Sequence, residues 1–290
     1  MDRIGFIGVG SMGTRIARRL HQAGYMLTVC DRNPAALREF EKLGTAIADT
    51  PAACGASDVV ILMVANDAQL REVVLAPSGL LSGIDANAPP LVAVMSTVLP
   101  NTVRDIAEPL SRKKVNLLDA PVSGGLAGAE AGTLTIMAGG AQGDLERLRP
   151  ILQRVATTIF HCGELGSGQL TKIANNMVGV TNLFLVAEVM MLAKRCGLEP
   201  ERLAAIMDAS SGRTAYTRDW GARLATYGAI AANPDRMQAH VDICRKDLNC
   251  ALTLANDAHA PMPVFKNIAA SVTTGSYEEL RQEWLEAFGR

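Results

Sequence analysis

At 290 residues, 49% of them hydrophobic, the chain carries enough apolar material for one large or two modest domains, and such a composition excludes intrinsic disorder. A formal net charge of −1 excludes the concentrated basic surface that holds nucleic-acid phosphates. Six cysteines occur singly, with no CxxC pair, so neither a metal site nor a disulfide framework is expected and a reducing, cytoplasmic compartment fits.

An apolar strand is expected from Arg3, so no targeting segment is expected before it, and it runs into Gly8-x-Gly10-x-x-Gly13 and an amphipathic helix. This is a dinucleotide-binding signature. Gly8 permits a sharp turn, Gly10 leaves space for a pyrophosphate against the backbone, and Gly13 lets helix and strand pack closely. The amides of Ser11 and Met12 open the helix, where free N–H groups and the dipole favour an anion. A second strand, Met26–Cys30, ends in Asp31, at roughly the 20-residue offset where an acid meets the adenosine ribose hydroxyls. The Asp31 charge would repel a 2′-phosphate and so favours NAD. Arg32 beside it could grip that phosphate, which leaves NADP open.

Strand and helix patterns then alternate. A helix is expected over Pro34–Leu43, a strand over Asp58–Val64, a helix after Asn66 and a strand over Leu91–Met95. Arg112–Lys114 reads as a solvated helix end. Further strands are expected at Val115–Leu118, Leu134–Met137 and Thr157–Phe160, with a helix over Gly143–Val155 and the sheet ending near His161. Short apolar strands between helices are the sequence form of a doubly wound, mainly parallel sheet buried on both faces, a Rossmann-type α/β domain.

The pattern changes at the glycine-rich stretch Gly163–Gly168. No strand is expected beyond it. A long helix over Gln169–Arg195, closed by Gly197, opens an all-α C-terminal domain, giving expected domains of 1–163 and 164–290. Its apolar run Val178–Ala193 is interrupted by Asn182 and Glu188 and reads as a buried helix rather than a membrane span. Gly228–Pro234 is expected to be a loop.

Three constellations could carry chemistry. Lys172, Asn175 and Asn176 stand at i, i+3 and i+4 with Gln169 behind them, a polar stripe on an otherwise apolar helix. A lysine desolvated there could transfer protons near neutral pH. Asp119–Leu134 follows an expected strand and is rich in glycine; the Ser123 hydroxyl with the amides of Gly124 and Gly125 could cradle a carboxylate. Ser96 and Thr97 follow another strand at the same sheet edge, within reach of a cofactor. Lys246-Asp247-Leu248 reads alone as an ordinary helical ion pair.

Taken in order, these motifs resemble the β-hydroxyacid dehydrogenase family over nearly the whole chain. The resemblance rests on Gly8–Gly13 with Asp31-Arg32-Asn33-Pro34, on Asp119–Gly125, on Gly168-x-x-x-Lys172-x-x-Asn175-Asn176 and on Lys246-Asp247-Leu248. It implies a nicotinamide-dependent oxidoreductase acting on a small 3-hydroxyacid or the matching semialdehyde. It also implies that Lys172 is the acid/base, that Ser123, Gly124 and Asn176 hold the substrate, and that Thr97 and Lys246 contact the cofactor. The cofactor-side turn that family members usually write Met-Leu-Pro-Asn is Met63-Val64-Ala65-Asn66 here, so Val64 and Ala65 stand near the nicotinamide without the stiff proline. Ala239 replaces a frequent aromatic residue, and 211–220, with Arg213, matches no family pattern. The resemblance and the apolar helical domain together imply a homo-oligomer, dimer or tetramer, while the charge balance and the interrupted apolar run point to no nucleic-acid or membrane partner. Three alternatives are a 6-phosphogluconate dehydrogenase, which normally has His-Asn where Asn175-Asn176 stand and a much longer helical domain; an imine reductase, against which Lys172 weighs; and a non-catalytic cofactor-binding scaffold, against which the intact Lys172, Ser123 and Asn176 weigh.

Overall fold

The structure, a computed structural model, describes residues 2–289. The chain forms two compact units whose seam falls between Lys172 and Ile173.

The first unit runs β1 (Arg3–Ile7), α1 (Ser11–Gln22), β2 (Met26–Cys30), α2 (Pro34–Lys42), β3 (Ala46–Ile47), β4 (Val59–Leu62), α3 (Asp67–Leu75), β5 (Leu91–Val94) and α4 (Pro100–Ser111). It continues with β6 (Asn116–Asp119), β7 (Val122–Ser123), α5 (Gly125–Ala131), β8 (Leu134–Gly139), α6 (Gln142–Leu152) and β9 (Ala156–Gly163). The parallel strands lie in the order β3-β2-β1-β4-β5-β6, after which β8 pairs antiparallel with β6 and β7 and parallel with β9.

The period of two along the central strands sets the layers. Val59 and Ile61 of β4 and Leu91 and Ala93 of β5 face one core with Ile16 and Leu20 of α1 and Leu148 of α6. Their alternates Val60, Leu62, Val92 and Val94 face the opposite core with Leu70 of α3 and Ile106 of α4. Strands apolar on every residue are therefore what two buried faces require, each large side chain contributing about 1.5–3 kcal/mol on leaving water. Turn chemistry agrees at α2, where Pro34 opens the helix and the Asn33 side chain accepts from Ala35 N–H at 3.0 Å.

Three details of this unit go beyond the expected pattern. In the glycine-rich stretch after β6, Val122 and Ser123 pair with Ile136 and Thr135 and α5 follows. The last strand ends at Gly163, two residues past the expected end near His161. The two-residue strand β3 is too short to show alternation, and it exists because Thr28 and Val29 present an open edge for it.

From α7 (Ser167–Arg195) onward the chain is helical, with α8 (Pro200–Asp208), α9 (Trp220–Ala231), α10 (Pro234–Asp257), α11 (Pro263–Thr274) and α12 (Tyr277–Phe288). α7 ends as expected, with Gly197 at φ 76° and Leu198 N–H donating to Ala193 O at 2.8 Å. By length and composition alone it could cross a membrane, with a mean hydropathy of 1.6 over its most apolar window. It is only partly a buried helix. Phe184 packs against Trp284 at 5.5 Å between ring centroids, while Val178, Leu185 and Leu192, one every seven residues, are exposed. The expected loop at Gly228–Pro234 shrinks to Ala232 and Asn233, because α9 continues through Ala231 and Asn233 caps α10 by accepting from Arg236 N–H. Gly228 is tolerated inside α9 because it lies against a neighbouring backbone, where a Cβ would meet Phe288 O at 2.7 Å.

Candidate active site

The three glycines after β1 differ in what surrounds them. Gly8 takes φ 97°, its N–H donates to Cys30 O at 2.8 Å, and a Cβ there would lie 2.3 Å from Met63 O. A Cβ on Gly13 would lie 2.1 Å from Gly8 O. Gly10, by contrast, has φ −65° and open space where its Cβ would stand. It also caps α1 without any side-chain hydrogen bond, so the first-turn amides at Ser11, Met12 and Gly13 keep the donors that a helix start leaves unfilled. Open space over a bare backbone at a helix N-terminus is what a pyrophosphate needs, and these residues fit a dinucleotide.

Asp31 closes this corner. Its Oδ2 accepts from Val9 N–H at 2.7 Å and its Oδ1 from Asn33 N–H at 2.8 Å, so the carboxylate also braces the glycine turn. Arg32 is exposed beside it. The ends of β4 and β5 complete the edge. Val64 N–H donates to Ser96 Oγ at 2.6 Å, Ala65 N–H to Gln69 Oε1 at 3.0 Å, and Asn66 caps α3 by accepting from Gln69 N–H. Ser96 is buried and braces Val64, while Thr97 beside it is half-buried.

At the end of β6, Asp119 is fully buried. Its Oδ1 accepts from Gly166 N–H at 2.7 Å and its Oδ2 from Gln169 N–H at 2.6 Å. Burial pushes this carboxyl above its ordinary range, and the backbone donors pull against that rise. Four residues on, Ser123 is half-buried and Gly124 and Gly125 are exposed at φ 132° and 65°, where successive amides open α5. Thus the Gly8–Gly13 turn, Asp31, Val64, Ala65, Thr97 and the Gly124-Gly125 turn follow C-terminal strand ends in the first unit, while Ser123 is the last residue of the short β7.

Lys172 is only 7% exposed, three residues past a fully buried Gln169. Asn175 is exposed and donates to Asn176 Oδ1 at 3.3 Å, while Asn176 Nδ2 donates to Asp247 Oδ2 at 2.6 Å. Lys246 Nζ lies 2.9 Å from Asp247 Oδ1. The Lys246-Asp247 pair therefore does more than sit on a helix surface: Asp247 is buried and ties Asn176 to Lys246 within the second unit. The sequence marks Asp119 and Gln169 only as members of motifs, without a role for either. The only signal for them was a polar residue in a segment otherwise destined for burial. Arg213 of the unmatched stretch pairs with Asp208 at 3.2 Å, and Thr214 and Thr217 close a tight local turn. Among the described residues no group of acidic, histidine or cysteine side chains is placed to hold a metal.

Residues 3–163 match the NAD binding domain of 6-phosphogluconate dehydrogenase, and residues 166–284 match the NAD-binding domain of NADP-dependent 3-hydroxyisobutyrate dehydrogenase. A 3-hydroxyisobutyrate dehydrogenase of Pseudomonas aeruginosa is 35% identical over 271 residues, spanning 91% of this chain and 89% of the relative. The structure of the Mycobacterium tuberculosis 3-hydroxyisobutyrate dehydrogenase with L-serine is similar at a TM-score of 0.78 and 27% identity, covering 97% of this chain and 98% of that one. An imine reductase of Myxococcus stipitatus, at 17% identity and a TM-score of 0.65 over 98% of this chain and 99% of that one, shares the fold alone. With both halves of the chain matched in order, and with a glycine turn shaped for a dinucleotide, the chain belongs to the β-hydroxyacid dehydrogenase family and is an NAD(P)-dependent oxidoreductase.

Proposed function

We propose that the protein oxidises a small 3-hydroxyacid, or reduces the matching semialdehyde, with NAD as its preferred cofactor and Lys172 as the general acid/base. The observation that carries this reading is a lysine withdrawn from water, 7% exposed, on a helix whose first turn is fastened to the strand ends beside the glycine turn. Bound nicotinamide supplies the hydride acceptor at its C4. In the oxidative direction the neutral Lys172 Nζ takes the proton of the substrate hydroxyl while the carbinol carbon gives up its hydride; in reduction the ammonium returns that proton to the carbonyl oxygen. Asn176, one turn along the same helix and held by Asp247, orients the reacting oxygen. Ser123 and the amides of Gly124 and Gly125 grip the carboxylate and so fix the carbon that loses hydride. Lys246 is assigned to the cofactor on the family pattern. The preference for NAD rests on the Asp31 carboxylate, which would repel a 2′-phosphate.

Domains of 1–163 and 164–290 remain the functional division we propose, with α7 linking them. The test is steady-state NAD reduction with matched pairs of 3-hydroxyacids and their amides. The acids should turn over and the amides, which cannot accept charge-assisted hydrogen bonds at the anchor, should react at least about 100-fold more slowly. Equal rates for acid and amide would remove the carboxylate anchor and return the imine reductase reading.

A further inference from the structure

The first turn of α7 is fastened at three points inside the first unit. The Gln169 side chain lies along the backbone on either side of Thr97: its Nε2 donates to Ser96 O at 2.8 Å and its Oε1 accepts from Val98 N–H at 3.0 Å. Its main-chain N–H donates to Asp119 Oδ2. Ser96 in turn accepts from Val64 N–H, so one chain of hydrogen bonds runs from the Val64-Ala65 turn to the helix that bears Lys172. Steric fit tightens the register. A Cβ on Gly168 would lie 2.3 Å from Met137 O and 2.8 Å from Asp119 Oδ2, which leaves the turn no room to rotate.

Gln169 is fully buried, so both of its side-chain bonds are made in the absence of competing water. A buried amide costs more to desolvate than leucine in the same space, and packing alone does not account for one here. Its placement does. Lys172 follows by three residues, about 4.5 Å along the axis and on the same helix face. Fixing Gln169 to Ser96 and Val98 therefore fixes the origin of the Lys172 side chain against the strand ends carrying Val64, Ala65 and Thr97.

We propose that Gln169 is a positioning residue for proton transfer, its paired bonds to Ser96 and Val98 setting where Lys172 stands at the sheet edge. The inference rests on Lys172 being the acid/base. Gln169→Met keeps the length of the side chain and removes both bonds. It is expected to lower kcat about 10- to 100-fold, the scale of an ångström-level misplacement, while substrate KM and the NADH Kd stay within about threefold. With substrate deuterated at the carbinol carbon, its primary isotope effect on kcat should exceed that of the wild type, because the chemical step becomes slower relative to product release. A residue of merely structural value would lower the melting temperature and leave both the isotope effect and the split between kcat and KM of the folded enzyme unmoved. Gln169→Glu, of the same shape and retaining the acceptor for Val98, should fall between the two, and it is read by the same criteria if the methionine variant does not fold. Lys172→Ala is measured in parallel. If it turns over like the wild type, the acid/base reading fails and takes this one with it. If it is inactive while Gln169→Met keeps kcat within about twofold, or if the entire loss in Gln169→Met appears in the NADH Kd, the positioning role alone is overturned.

Discussion

Alanine substitutions at Gly10 and Gly13 should separate what the glycine turn does for the cofactor from what it does for the fold. At Gly10 an added Cβ meets nothing within 4 Å and φ is −65°, which any residue adopts. Gly10→Ala should therefore change stability by no more than about 0.5 kcal/mol. The same methyl stands where a pyrophosphate would approach the backbone. Displacing it by even one charge-assisted hydrogen bond, about 1.5–3 kcal/mol, weakens cofactor binding by roughly 10- to 100-fold. At Gly13 the Cβ would lie 2.1 Å from Gly8 O, well inside the 3.4 Å at which ordinary contact begins. Relief requires more than an ångström of movement in a turn pinned by Gly8 N–H to Cys30 O and by Val9 N–H to Asp31. Gly13→Ala should cost about 1–3 kcal/mol, visible as a lower melting temperature even without cofactor. Thermal unfolding and NADH titration of both variants give the comparison. A Gly10→Ala protein that binds NADH within about twofold of wild type would refute the placement of the pyrophosphate over Gly10.

Asp31→Asn should narrow the preference for NAD over NADP in kcat/KM by about tenfold, and also weaken NAD somewhat, since an amide cannot accept from both Val9 and Asn33; a wild-type preference for NADP would show that Arg32 dominates. His240 is largely buried, its Nε2 has no hydrogen-bond partner among the described residues, and burial holds its pKa below the ordinary 6.5. Below that pH the unfolded chain takes up a proton that the folded chain refuses, so stability should fall as pH drops, by about 1.4 kcal/mol per unit until the folded-state pKa is reached. Denaturant unfolding at several pH values should show this slope reduced in His240→Phe, and an unchanged slope would contradict it.

The parallel sheet was legible because β4 and β5 are apolar at every position, a pattern that only two buried faces produce. The glycine turn was legible because its spacing encodes local geometry. What escaped were features settled by partners distant in sequence. Two-residue strands β3 and β7 form only because a neighbour offers an edge. Gly228 and Pro234 carry loop chemistry, yet α9 runs through the glycine because packing against Phe288 outweighs its low helix propensity. In the proposed site, Lys172 and Ser123 stand out by residue type and place. The bond of the Ser96 hydroxyl to Val64, 32 residues away, and those of Gln169 and Asp119, spanning 71 and 50 residues, are encoded by no local pattern.

The central claim, that Lys172 moves the proton, is tested most directly by single-turnover hydride transfer in Lys172→Ala with a competent 3-hydroxyacid and saturating NAD. The account predicts a rate at least about 100-fold below wild type, with the NADH Kd and melting temperature little changed. A folded, cofactor-binding Lys172→Ala protein that transfers hydride at a rate near that of the wild type would contradict it.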